Sequence, residues 1–191
     1  MNPEQPLPLY LFPSLIWFKA ALSKGLNPVE LEVQANWQKQ SPRSRFEIAG
    51  PNGKQQLVIP TIKSTRKTMV EVCINYDENW PIQHWRSLET GYNRSPFFEF
   101  YKDDIQQIFE QRFGNLADLN LASIKWCCEK LQLDLRFNKT DKYQGEMKVE
   151  IISFKEPEYS QVFALKNGFI PKLSVLDMLF NLGPEASSLL R

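Results

Sequence analysis

Histidine is nearly absent from this 191-residue chain: there is one, His84, beside three cysteines, Cys73, Cys127 and Cys128. A lone histidine excludes a His-rich metal site and any mechanism that needs two imidazoles. The odd cysteine count, with two thiols adjacent and no CxxC pair, is neither a disulfide framework nor a zinc ribbon, and it suits a reducing compartment. An excess of either charge is also missing. Against 22 acidic residues stand 23 basic ones, a formal +1. Proteins that neutralise many phosphates carry a basic surplus, so no nucleic-acid partner is expected. GxGxxG, P-loop, HExxH and GxSxG motifs are absent too, which removes most hydrolase and metalloenzyme templates.

Long apolar runs are lacking as well. Leu7 to Phe18 is broken by Pro8 and Pro13 and has no basic stretch before it. It is too short to span a bilayer and makes a poor signal peptide, so no membrane insertion and a cytoplasmic location are expected. What the chain does have is an ordinary globular supply of apolar residues, 42%, with 13 Phe and 5 Trp. At this length a single domain, 1–191, can bury roughly 70% of its unfolded surface without a metal or disulfide staple. No repeat or long linker divides it.

The local patterns predict a mixed α/β fold (α+β) with an N-terminal mixed sheet and hairpin, central helices and a C-terminal helix. Leu7–Phe12 suits a short buried strand, and a helix then runs to Lys24-Gly25. Val29–Val33 is a second strand. Pro51-Asn52-Gly53-Lys54 carries the Asn-Gly hairpin signal, with Phe46 and Ile48 before it and Gln56–Ile62 returning. Val70–Ile74 is expected as another strand. From Trp80 the period turns helical: Trp85, Leu88 and Tyr92 share a face, Phe97–Phe113 is a second helix and Leu119–Leu131 a third. Leu133–Phe137 and Lys148–Ile152 are strand candidates. A last long helix spans Ser174–Leu182, with Ser174 as N-cap, Asp177 at the capping-box position and Gly183-Pro184 as the stop; a final turn or two of helix closes the chain.

Several polar residues carry two readings. His84, near a helix N-terminus, either packs on an indole or serves as a neutral general base. Arg43 and Arg45 would face one side if their strand alternates; they are either a solvated edge or a bidentate clamp for phosphate or carboxylate. Asp177 and Asn181, four apart, share a helix face and suit either capping or the wall of a pocket. Cys127 and Cys128 lie among apolar residues of a helix and read as small buried hydrophobes.

The order of certain blocks is similar to that of a known family. Tyr10-Leu11-Phe12-Pro13-Ser14 resembles the N-terminal Tyr-(Phe/Leu)-Pro element of the WbqC-like proteins, and Gln38 to Arg45 resembles their Lys-x-Ser-(Tyr/Phe)-x-Asn-Arg segment. The hairpin Pro51-Asn52-Gly53, the strand Leu57–Pro60, Asn79-Trp80 with His84–Leu88 and Tyr92, and Ser95–Phe98 follow in order. Tyr159-Ser160-Gln161 and Leu173 to Gly183 complete the likeness over about nine-tenths of the chain. Two departures stand out. Leu7-Pro8-Leu9 replaces a His-Gln pair common ahead of the first block, and the interval Lys139 to Glu146 is short and polar where longer members carry a Tyr-Leu-x-Gly-like stretch.

The resemblance implies a transferase that puts a small acyl or aminoacyl group on the amine of a nucleotide-linked amino sugar in cell-surface polysaccharide (O-antigen-type) synthesis. On that reading His84 deprotonates the amine, Arg43 and Arg45 hold phosphate or carboxylate, and Tyr10, Asp177 and Asn181 line the pocket. The two departures support a different class, a non-catalytic binding or scaffold protein of the same pathway. The partner expected is a small molecule; the sequence names no cofactor and no oligomeric state.

Overall fold

The computed structural model describes residues 5–62, 68–149 and 154–190. Its first strand, β1 (Leu7–Pro8), is far shorter than the apolar run around it, because the chain bends at Leu11-Phe12 and φ at Phe12 is +38°. Helix α1 (Leu15–Ser23) follows and buries Trp17 and Phe18, and the strand β2 (Val29–Glu32) runs parallel to β1. The hairpin forms where Asn52-Gly53 predicts it: β3 (Arg45–Gly50) pairs antiparallel with β4 (Gly53–Val58), and φ at Gly53 is +105°. Gly at that turn avoids the steric penalty a Cβ meets at positive φ.

Three helices come next: α2 (Trp80–Tyr92), α3 (Phe98–Glu110) and α4 (Leu116–Lys130). Asn115 starts α4 by accepting the Asp118 amide at 2.9 Å, so this helix begins three residues earlier than its apolar stripe suggests. Strand β5 (Phe137–Lys139) completes a parallel sheet of order β1-β2-β5, separate from the hairpin. The short α5 (Ala164–Asn167) and then α6 (Val175–Leu182) lead into a 3-10 segment, Gly183–Leu190. Helix α6 buries every residue from Val175 to Asn181, so its one polar face, Asp177 and Asn181, lies inside the protein and must find its partners there. Its Phe180 ring packs within 6.5 Å of Tyr92, Phe98 and Tyr101, joining α2, α3 and α6.

Some expected elements differ. Val70–Ile74 is not a strand: Met69–Glu71 is a 3-10 turn, held by Thr68 and Glu71 capping one another, and only single bridges form at Cys73 and Ile74. Local capping wins over β-branched content here because, among the described residues, the neighbours of this segment offer single bridges and not a strand to pair with. Leu133–Phe137 is displaced: residues 133–136 are irregular and pairing begins at Phe137. The strand expected at Lys148–Ile152 lies largely outside the described residues.

The short interval after β5 is firmly tied down. Glu32, fully buried, accepts from Thr140 Oγ1 at 2.9 Å and from the Gln144 amide at 3.0 Å, and Met147 N–H donates to Pro6 O at 2.8 Å. Tight packing also dictates one glycine: a Cβ on Gly91 of α2 would stand 2.7 Å from the Ala49 carbonyl oxygen, so only glycine lets α2 lie this close to β3.

Candidate functional site

Beyond the C-terminal end of β1 lies a cavity of about 840 Å³, a size typical of small-molecule sites. Four stretches of chain build it: Tyr10 to Trp17, Gln40 to Glu47, Phe154 to Glu158 and Phe169 to Ser174, with Gln56 from β4 and Val149 added singly. On β3, Arg45 and Glu47 project to one face because strand side chains alternate. Helix α6 closes onto this face: Ser174 N–H donates to Glu47 O at 2.7 Å and Val175 N–H to Pro13 O at 2.9 Å. The wall is amphoteric, since Arg45, Lys155 and Lys172 share it with Glu47, Glu156 and Glu158, while Trp17, Phe46, Phe154 and Phe169 supply apolar surface.

Backbone strain gathers here. Among the described residues four non-glycine residues have positive φ, and three of them, Phe12, Gln40 and Lys172, line the cavity. Such conformations are unfavourable by about 1–3 kcal/mol each and persist where surrounding contacts over-determine them, most often at binding sites.

Two polar groups in the wall stand out. Arg45 donates from Nη1 to Gln56 Oε1 at 2.9 Å, but its buried Nε has no hydrogen-bond partner. Half-buried Glu156 accepts the Lys172 amide at 2.6 Å. Burial raises the pKa of Glu156, and the nearby Asp177 charge adds to this, against the Lys172 amide and the Lys54 and Lys172 charges, which lower it. A carboxyl in a cleft with a raised pKa is a candidate proton acceptor.

Behind this wall is a buried network centred on Asp177. Its carboxylate accepts from Tyr92 Oη at 2.8 Å, Tyr159 Oη at 2.7 Å and Gln161 Nε2 at 2.9 Å. Burial raises its pKa while the three donors pull it down. Asp177 is therefore not the reciprocal cap of Ser174. The Ser174 hydroxyl caps alone, accepting from the Leu176 amide at 3.2 Å, because the Asp177 side chain is taken by the two tyrosines. Asn181 turns back onto its own helix, donating to Asp177 O at 2.7 Å.

The structure thus brings Tyr10 and Arg45 together at the cavity and leaves the other expected site residues out of its lining. Arg43 precedes β3, so alternation does not apply to it. Its guanidinium, only 2% exposed, pairs with Glu146 at 2.5 Å and lies 5.9 Å from the centre of the Tyr10 ring. His84 is buried among Phe46, Trp80 and Phe109, with ring centres 5.2–6.1 Å away. Burial pulls its pKa down to about 4, partly offset by a hydrogen bond to the Val58 backbone. The packing alternative for His84, on the Trp80 indole, is the arrangement observed. Cys127 and Cys128 are buried, and burial pushes the Cys128 thiol up to about 12, far from a reactive thiolate.

Sequence reasoning did not single out Glu47, Glu156 or Lys172. One signal did point nearby: Tyr159 and Gln161, two apart in the Tyr-x-Gln block, both reach Asp177.

Comparison with known proteins agrees with the order of these blocks. The model of the WbqC-like protein family matches residues 10–152 and 141–189. The Uncharacterized protein Rv1507c of Mycobacterium tuberculosis is 24% identical over 187 residues, covering 78% of this chain and 81% of its own length. No solved structure matches the chain significantly.

Proposed function

This chain belongs to the WbqC-like protein family, and we propose that it is a transferase acting in cell-surface polysaccharide synthesis. It places a small acyl or aminoacyl group on the amine of a nucleotide-linked amino sugar. Such a substrate carries an anionic end, an apolar or planar body and an amine. The cavity offers a complement to each: Arg45 and Lys172 for phosphate, aromatic walls for the body, and Glu47 and Glu156 for the amine.

The observation that carries the reading is one cavity wall that holds both half-buried Glu156 and Arg45, whose buried Nε has no hydrogen-bond partner; the upward shift of the Glu156 pKa by burial fits the same role. Glu156 takes the proton from the attacking amine, the nitrogen forms a bond to the acyl carbon of an activated donor, and the donor's leaving group departs. Positioning does most of the work, as expected where no cysteine lines the cavity among the described residues. His84, closed off by three aromatic rings, supports the fold here rather than the proton transfer. Arg43 acts from behind the Tyr10 ring. A nucleotide-linked substrate places the reaction in the cytoplasm.

Thermal shift across nucleotide sugars, acyl-CoAs and free amino acids tests this, followed by mass spectrometry for the acylated product. A nucleotide amino sugar should raise Tm of the wild type and of Glu156→Gln but not of Arg45→Ala, and Glu156→Gln should bind without turnover. No shift with any ligand would overturn the reading.

A further inference from the structure

The cavity wall formed by residues 154–172 is a strap with two limbs zipped to each other. Gln161 bonds Ile170 twice, donating to its carbonyl at 3.0 Å and accepting its amide at 2.8 Å. Glu156 accepts the Lys172 amide, and the Tyr159 and Phe169 rings meet edge to face with centres 5.3 Å apart. The strap's tip, α5, rests on the hairpin turn, where Lys166 and Asn167 donate to Pro51 O and Gly50 O at 2.7 and 3.3 Å. Those tip contacts are exposed or only partly buried, so they contribute little. The buried attachment is Asp177. It receives Tyr159 and Gln161 from the strap and Tyr92 from the core, and Tyr92 in turn accepts the Ala49 amide of β3 at 2.9 Å.

We propose that Asp177 is the positioning residue of the cavity, bolting the strap to the core through Tyr159 and Gln161 so that Glu156 and Lys172 face the ligand. The statement about the ligand rests on the function proposed above; the bolt itself does not. A carboxylate suits the task, since it is acceptor-only and can take all three donors at once. An amide at this place keeps only one acceptor oxygen: its N–H pair clashes with the Gln161 donor in one orientation and leaves the Tyr92 hydroxyl hydrogen without an acceptor in the other. Helix α6 is locked among Phe98, Tyr101 and Tyr92 through Phe180, so the bolt stands on a rigid base.

Residue-resolved hydrogen exchange on the full chain tests the bolt without any ligand, comparing wild type with Asp177→Asn, Tyr159→Phe and Tyr92→Phe. The Ile170 and Lys172 amides report the strap, and β3–β4 amides report the core. Loss of one hydrogen bond to a charged group should speed exchange of the strap amides by roughly tenfold or more in Asp177→Asn and Tyr159→Phe. The hairpin amides should hold relative to them. Tyr92→Phe, which removes both the core-side donor to Asp177 and the acceptor of the Ala49 amide, should affect strap and hairpin together. If Asp177→Asn fails to fold, Tyr159→Phe still decides. Equal acceleration of strap and hairpin in Tyr159→Phe, or no acceleration of the strap, overturns the proposal. If wild type binds none of the panel ligands but the strap amides respond as stated, the bolt stands and the transferase reading falls.

Discussion

Arg43 and Glu146 meet at 2.5 Å although 103 residues separate them in the chain. The two partners are buried unequally: the Arg43 side chain is 2% exposed and that of Glu146 23%. The pair joins the segment before β3 to the interval after β5, and so supports Tyr10 from behind.

That asymmetry sets the order of two mutational effects. Glu146→Gln leaves a buried guanidinium without its counter-charge and should destabilise by about 3 kcal/mol. Arg43→Met leaves a carboxylate that water still reaches, and the methionine fills much of the space, so the loss should be smaller, about 1–2 kcal/mol. Urea unfolding of both variants checks the ranking, and the reverse order contradicts it.

His84 predicts an acid-side loss of stability. Its pKa falls from 6.5 to about 4 on folding, so below pH 6.5 the unfolded chain binds a proton that the native chain does not. Stability from this group is full above pH 6.5 and declines as pH drops towards 4, by roughly 3 kcal/mol in total. Unfolding free energies at pH 7 and pH 4.5 should differ less in His84→Gln than in wild type. An unchanged difference would show that other groups carry the acid sensitivity.

Gly91→Ala should destabilise by about 1–3 kcal/mol, because its methyl group meets a backbone carbonyl that cannot rotate away. Gly114→Ala, where nothing lies within 4 Å of the added carbon, is the matched comparison and should shift Tm little. Thermal unfolding of the two variants checks the contrast.

Arg45→Ala should cost about 1 kcal/mol or less, since the buried Nε it removes has no hydrogen-bond partner, while removing the response to anionic ligands. Its hydrogen bond to Gln56 is exposed, so little folding energy depends on it. Isothermal titration against a nucleotide sugar, with Arg43→Met beside it, separates the two arginines. Arg45→Ala should lose binding outright, and Arg43→Met should weaken it only through Tyr10.

How far the sequence reaches is clear from particular elements. The hairpin is legible because Asn52-Gly53 specifies its own backbone conformation. Helices α2, α3, α4 and α6 follow from spacing within each segment. The mistaken strand at Val70–Ile74 comes from reading β-branched content alone, when a strand needs a partner that sequence spacing does not reveal.

The sequence by itself determined the mixed α/β class, the turn of the hairpin, the apolar faces of the helices and the family likeness, all of which rest on short-range periodicity or on block order. Tertiary structure alone decided which side chains meet at the candidate site. It took Arg43 into an ion pair, closed His84 among aromatic rings and turned Asp177 from a cap into the centre of a buried network. It also brought Glu156 to the cavity beside Arg45. The physical reason is that burial and charge proximity set what a polar side chain can do, and both depend on neighbours that lie far away along the chain.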